Sequence, residues 1–286
     1  MAEELEIKLT VAEADQQKVQ AWLSNHGTAD YVGEKSLINR YFDTPAAHLN
    51  HQKAALRVRQ AGDKFIQTLK TRGEFVNGAH RRQEWEWPLP GQDLSLGLLA
   101  DTPLADRVNL AELEVVFETN FQRRIWMVRQ NGAEVEVVLD SGTVISGDQS
   151  VALNEVEFEL KGGNADVLMQ LARELAGQVP VFLNLVSKAE QGYFLAGLYR
   201  PELVKGDHEL SVTEFLHQLS LGWLLGTPVG FSESALSQVH QAAVEAKVEG
   251  LWQELQQEMA SGTSVAELVR RLPRLGELQL ALAAVN

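Results

Sequence analysis

The sequence predicts an α+β protein: a closed antiparallel β-barrel with a charged interior and helices packed outside it, followed by an all-helical appendage. Three observations lead there. The opening stretch Glu4-Leu5-Glu6-Ile7-Lys8-Leu9 alternates charged and apolar side chains with period two, as a β-strand with two unlike faces does, and several later segments repeat the device. The polar faces of these segments are rich in Glu, Arg and Lys and poor in Ser, Thr and Gln. Beyond Pro201 to Gly206 the alternation stops and helical periodicity replaces it.

Taken in order, Glu4 to Leu9 is the first strand. Val11 to Gly27 carries Val11, Ala14, Val19, Trp22 and Leu23 at helical spacing and stops at Gly27. Leu37 to Phe42 reads as a strand entering the turn Asp43-Thr44-Pro45, with a short loop or helical turn through His51. Ala54 to Gln60 and Lys64 to Thr71 form a hairpin around Ala61-Gly62-Asp63; Arg57 and Arg59 share one face of its first strand, Thr68 and Lys70 one face of its second. Arg82 to Trp87 sets Arg82, Glu84 and Glu86 against Trp85 and Trp87, and Pro88 and Pro90 end it. Leu94 to Leu110, broken at Pro103, is expected as two short helices. Leu113 to Val128 is expected as a strand with a bend or turn at Thr119-Asn120. The turn Asn131-Gly132 leads to a strand with Glu134, Glu136 and Asp140 on one face, and Val151 to Lys161 lines up Glu155, Glu157 and Glu159. A helix from about Ala165 to Leu175 precedes Leu183 to Leu198, which holds Ser187-Lys188. The tail is helical over about 211 to 224, 232 to 260 and 263 to 284.

The chain has 286 residues and a formal net charge of −14, which argues against non-specific binding to nucleic acid or a membrane surface. An anionic ligand therefore needs a local cluster of Lys and Arg. The absence of cysteine excludes disulfides and thiolate metal sites. No apolar run has the length of a membrane span and the N-terminus shows no signal-peptide pattern, so a cytoplasmic protein is expected. The tail holds 5 Lys and Arg against 11 Asp and Glu, so it is an acidic appendage.

An open sheet with one packed and one wet face also produces charged alternation. It leaves two things unexplained: mixed charges dense enough to face one another, and apolar faces (Trp85, Trp87, Val135, Val137, Phe158, Leu160) that need more cover than a few helices supply on an open sheet. A closed barrel answers both and removes the exposed edges. Inside such a lumen, carboxylates two residues apart, as in Glu4/Glu6 and Glu155/Glu157, suit a hard divalent cation such as Mg²⁺ or Mn²⁺. Arg57, Arg59, Lys70, Arg82, Arg123 and Lys188 are too numerous to serve only those acids, and Arg forks onto phosphate oxygens.

These residues resemble the CYTH domain family, the triphosphate tunnel metalloenzymes. The E-x-E-x-K strand is Glu4-Leu5-Glu6-Ile7-Lys8. It is followed by Tyr41-Phe42-Asp43-Thr44, Leu56-Arg57-Val58-Arg59, Thr68-Leu69-Lys70, Arg82-Gln83-Glu84, Arg123, Leu139-Asp140, Glu155-Val156-Glu157-Phe158-Glu159 and Ser187-Lys188. The resemblance covers about residues 1–200. It implies an eight-stranded antiparallel tunnel that binds a triphosphate with a divalent metal. It further implies a phosphate cradle of Lys8, Arg57, Arg59, Lys70, Arg82, Arg123 and Lys188, and metal-side carboxylates Glu4, Glu6, Asp140, Glu155 and Glu157. Lys70 with Tyr41, or a cradle lysine such as Lys8, or a metal-bound hydroxide, would orient, deprotonate or replace the attacking water.

The family includes inorganic triphosphatases, thiamine triphosphatases and class IV adenylyl cyclases, and the cradle does not separate them. The insertion between Gly73 and Arg107, Phe121-x-Arg123 and the appended helices look most similar to bacterial inorganic triphosphatases. The expected activity is metal-dependent hydrolysis of tripolyphosphate to diphosphate and phosphate. The alternatives are a thiamine triphosphatase or cyclase, and a non-catalytic polyphosphate or nucleotide sensor. Residues 1–200 are expected as the tunnel domain and 207–286 as a short acidic helical domain of unknown role: a remnant, a lid, or a surface for a homodimer.

Overall fold

The computed structural model describes residues 2–71, 73–76, 79–104, 108–204 and 208–285; Arg107, at the end of the expected insertion, and residues 205–207, at the expected domain boundary, lie outside them. The chain opens with β1 (Ala2–Val11), a 3-10 turn, α1 (Gln16–Asn25), β2 (Ala29–Asp43) and the short α2 (His48–His51). Next come β3 (Ala55–Ala61), β4 (Lys64–Lys70), β5 (Glu74–Val76) and β6 (Ala79–Leu89). Three long strands, β7 (Glu114–Gln130), β8 (Ala133–Ser146) and β9 (Gln149–Gly162), lead to α3 (Asp166–Ala176), β10 (Val181–Leu183) and α4 (Lys188–Leu195). The chain finishes as α5 (Val212–Leu225), α6 (Ser237–Glu245), α7 (Glu249–Ala260), α8 (Val265–Arg271) and α9 (Leu275–Ala284).

Among the described residues the sheet order is β10-β1-β9-β8-β7-β2-β3-β4-β6-β5, and a further β1–β6 pairing closes the eight strands from β1 to β6 into an antiparallel barrel. The closure is local. Ala2 to Glu6 of β1 pair with β6, whereas Leu9 to Val11 on the same strand pair with β10. Along β1 the period-two alternation then decides everything: Glu4, Glu6 and Lys8 turn into the lumen, and Ile7 and Leu9 turn out into the largest apolar cluster.

That cluster joins the outer faces of β1, β8 and β9 to α3, α5 and α9 through Phe158, Leu171, Phe215, Leu219 and Leu280, so the C-terminal helices share one core with the barrel. Truncating a fully buried side chain here, such as Phe158, is expected to cost about 3–5 kcal/mol. A second cluster packs Leu56, Leu69, Trp85 and Trp87 of the opposite wall under the segment around Leu99 and Leu104. A third holds Tyr41, Phe117, Phe121 and Tyr193 beside one end of the lumen.

Two expected elements differ. In place of two helices between Leu94 and Leu110, the described residues form only 3-10 turns at Leu96–Leu99 and Leu110–Glu112; buried Leu99, Leu104 and Val108 anchor them irregularly to the sheet. The expected break at Thr119-Asn120 is absent. β7 runs unbroken past both residues, paired to β2 on one side and β8 on the other, because a two-sided ladder overrides the weak turn preference of Asn. No helix of the described residues is long and apolar enough to cross a membrane.

Candidate functional site

The lumen is a cavity of about 690 Å³, lined mostly by charged side chains from β1, β3, β4, β6, β7, β8 and β9 and by α4. Ridge positions two residues apart supply them: Glu4, Glu6 and Lys8 from β1, Arg57 and Arg59 from β3, Arg82, Glu84 and Glu86 from β6. Lys188 arrives differently. It is the first residue of α4, whose N-terminus is fixed by a capping box between Ser187 and Glu190. Gly192 lets this helix sit against β7, since a Cβ there would lie 2.0 Å from the Phe117 ring.

One side of the lumen is a closed ion-pair network. Arg123 donates two hydrogen bonds to Asp140, at 2.8 and 2.7 Å, and one to Glu157 at 2.8 Å. The Lys188 Nζ lies 2.6 Å from Glu157, 2.7 Å from Glu155 and 3.0 Å from Asp140. Gln191 also donates to Glu155. Burial would push the Glu157 carboxyl up, but Lys188 and Arg123 overcome it and hold the group well below the usual carboxylate range. The same acids hold Lys188 and Arg123 well above their ordinary values despite burial.

On the adjoining wall Glu4 accepts from Lys70 at 2.8 Å and from Arg82 Nε at 2.8 Å, and Arg82 also reaches Glu6 at 2.5 Å. Burial alone would raise the Glu4 carboxyl, but Lys70 and Arg82 pull it below its ordinary value. Glu6 goes the other way: burial raises it, Arg82 opposes, and its like-charged neighbours Glu4 and Glu157 raise it further.

The third side lacks such partners. Arg59 donates from Nε to the neutral Asn39 at 2.7 Å. Burial, then the neighbouring Arg57 and Arg123, bring its guanidinium down to about 9. Arg57 keeps a distant ion pair with Glu84 at 3.9 Å, and its buried Nε has no hydrogen-bond partner. It donates to the Tyr41 hydroxyl. Burial would raise that phenol, but Arg57, Arg59 and Lys188 bring it below its ordinary value. Tyr41 also stacks on Phe117, with centroids 4.5 Å apart and planes at 17°.

The lumen thus brings together Lys8, Tyr41, Arg57, Arg59, Lys70, Arg82, Arg123 and Lys188 with Glu4, Glu6 and Glu157. Lys8 donates to the Val186 carbonyl and lies 3.7 Å from Glu155. Asp140 and Glu155, expected as metal-side acids, are 0% and 1% exposed, do not line the cavity, and hold Arg123 and Lys188 from behind. Glu136, Glu159, Lys161 and His80 also line the lumen and were not among the expected site residues. Their signal was present: Glu136 and Glu159 lie on the charged faces of their strands, and His80 lies two residues before Arg82. Asn39, two residues before Tyr41, had no such signal.

Among the described residues no three His, Asp or Glu side chains already converge on one point as a metal cage. The carboxylate oxygens of Glu4, Glu6 and Glu157, gathered on the lumen wall, are nonetheless the donor type a hard divalent cation takes, and the raised Glu6 carboxyl is the one a cation beside Arg82 would relieve.

These residues build a closed antiparallel tunnel with a lumen of mixed charge, in which Arg57 and Arg59 lie without a close carboxylate partner among the described residues. The chain belongs to the CYTH family: the CYTH domain model matches residues 2–193. It is 31% identical over 196 residues to an inorganic triphosphatase of Haemophilus influenzae, a match covering 68% of this chain and 55% of that relative. The chain therefore spans about half the length of that relative. Among solved structures, the Hippeastrum adenylyl-cyclase candidate HpAC1, described as having a dominant triphosphatase activity, superposes with a TM-score of 0.50 at 20% identity. It covers 67% of this chain and 95% of that one, a likeness of fold.

Proposed function

We propose that this protein hydrolyses inorganic triphosphate to diphosphate and phosphate in the tunnel, with a divalent cation, Mg²⁺ or Mn²⁺. The observation that carries the reading is the pair Arg57 and Arg59, the first buried and the second half-buried, which have no close carboxylate among the described residues while Lys70, Arg82, Arg123 and Lys188 of the same lumen are each held by one. Such a pair favours a ligand that brings several negative charges. The similarity to an inorganic triphosphatase supports the same choice.

In this reading Arg57, Arg59 and Arg82 grip phosphate oxygens, with Lys8, Lys70, Arg123 and Lys188 completing the cradle. Asp140 and Glu155 fix Arg123 and Lys188 in place. Glu4, Glu6 and Glu157 would hold the cation, which when bound supplies charge neutralisation at the phosphoryl oxygens. Phosphoryl transfer needs positioning and charge more than covalent help. Tyr41, hydrogen-bonded by Arg57, would orient the attacking water, whose proton passes to the phosphate oxygens or a basic lumen group, and Lys70, held between Glu4 and Glu84, would supply positive charge to the transferring group. The protein is expected to act as a soluble cytoplasmic enzyme.

The test is phosphate release from tripolyphosphate, thiamine triphosphate and ATP, each with Mg²⁺ or Mn²⁺. Preferential turnover of tripolyphosphate is expected. Equal or faster turnover of ATP, or formation of cyclic AMP, overturns the proposal, as does tight binding without turnover in either metal.

A further inference from the structure

The lumen does not end at the barrel. Where β3 begins and β4 ends, its cavity is continued by Asn50 and Lys53, by Tyr199, and by Thr213, Glu214 and His217 of α5, a helix beyond the family match. This helix is not loosely attached. The Leu185 amide donates to Ser220 of α5 at 3.0 Å, and Leu183 of β10 exchanges two hydrogen bonds, at 2.9 and 3.0 Å, with the buried Gln279 of α9. Those bonds satisfy backbone that the short β10 leaves open, and Gly276 allows the approach, since a Cβ there would lie 2.4 Å from the Val181 carbonyl oxygen. The C-terminal helices therefore form a fixed wall of the cavity.

The chemistry of that wall is directional. Its carboxylates are engaged: Glu190 accepts from the Ser187 amide and hydroxyl at 2.8 and 2.9 Å, and Glu214 accepts in the same way from Ser211 at 2.9 and 2.7 Å. Lys53 is exposed at the rim and forms no ion pair with a described residue. The half-buried His217 is drawn below its ordinary value by burial, which Glu190 opposes and Lys53 reinforces, so it offers a neutral N–H donor. Both carboxylates keep their charge, but their oxygens are turned onto these caps, and the ionisable groups left to donate to a ligand are the Lys53 ammonium and the His217 imidazole. At about 690 Å³ the cavity is in the size range of pockets that enclose drug-sized ligands. It has room for ligand atoms beyond those held by Arg57 and Arg59.

We infer that Lys53 and His217 form a second anion-binding subsite at this mouth, which selects a substrate ending in phosphate there over one ending in a nucleoside. The inference rests on the triphosphatase reading and deepens it, assigning to the C-terminal helices a share in substrate choice. Kinetics of the full chain test it. kcat/KM for tripolyphosphate and for ATP, together with calorimetric affinity for each, are measured for the wild type, Lys53→Gln and His217→Gln. Lys53 is exposed, so its variant folds irrespective of the outcome at His217. In each variant the preference for tripolyphosphate over ATP should fall about tenfold, the size of one charge-assisted hydrogen bond, through KM and affinity and not through kcat. An unchanged ratio in both variants, with wild-type turnover intact, overturns the subsite and leaves the proposed function standing. If the wild type binds tripolyphosphate without turning it over, the proposed function fails and the affinity ratio alone decides: a fall in the variants supports the subsite, no change overturns it.

Discussion

Two sides of the same lumen treat charge in opposite ways. Arg123 and Lys188 both meet carboxylates at 2.6 to 3.0 Å, two of them, Asp140 and Glu155, buried behind the wall. Around Arg57 and Arg59 the contacts are an amide, a phenol and a glutamate at 3.9 Å. The first side is satisfied by the protein itself and so holds its geometry without a ligand. The second is short of negative charge and is stabilised most when a ligand supplies it. Preorganisation and ligand demand are thus separated across a single barrel, and substitutions on the two sides should differ in kind.

The largest effect is expected on the satisfied side. Asp140→Asn leaves Arg123 and Lys188 buried with one acid fewer and should destabilise the fold by about 3–5 kcal/mol, the range for breaking a buried pair. Denaturant unfolding measures this, and a loss below about 1 kcal/mol would show that Glu155 and Glu157 suffice alone.

On the demanding side the sign should reverse. Arg59→Met removes a half-buried guanidinium that has no carboxylate partner among the described residues, so stability should hold or rise slightly. Turnover of tripolyphosphate should meanwhile fall about 10²-fold, as when one preorganised charge donor is lost from a transition state. Steady-state kinetics and thermal unfolding of the same preparation check both halves. A stability loss comparable to that of Asp140→Asn would erase the contrast.

His80 sharpens the contrast from the side of protonation. Burial, then Arg82 and Lys8, keep its imidazole down at about 3, against 6.5 when unfolded. Because the folded value is depressed, the unfolded chain binds a proton that the folded one refuses between those two values, so stability falls as pH drops from about 6.5 towards 3. The slope is at most ~1.4 kcal/mol per pH unit for one proton. Unfolding midpoints at pH 7, 6, 5 and 4 should decline less steeply in His80→Gln. Parallel curves for the two proteins would place the titration elsewhere.

Much of this arrangement was legible in the sequence because a strand has only two faces. Once Glu4, Glu6 and Lys8 share one, Ile7 and Leu9 must share the other, and the fold follows from needing to bury the second set. Depth was not legible. Asp140 and Glu155 obey the same alternation as Glu157, yet they lie at levels where the wall is closed by Gln191 and Lys188, a matter of barrel stagger and of where α4 enters. Asn39 could not be singled out either, because a neutral amide leaves no charge pattern. The reach of α5 into the cavity depends on contacts between Leu185 and Ser220, which lie 35 residues apart in the chain. No local periodicity encodes such a contact.

The smallest effect, and the most discriminating, belongs to Tyr41. Its ring stacks on Phe117 while its hydroxyl accepts from Arg57, so the residue has a packing role and a polar role that one substitution separates. Tyr41→Phe keeps the stack. If packing is all that matters, activity and stability stay within about twofold and ~0.5 kcal/mol of the wild type. If the hydroxyl orients water through one hydrogen bond, kcat should fall about three- to tenfold with KM little changed. The pH profile of kcat should then also lose a limb that lies below 10 in the wild type, since Arg57 and its neighbours draw the phenol down despite burial. An unchanged profile would remove Tyr41 from the chemistry and leave its role as the stack on Phe117 and the acceptor for Arg57.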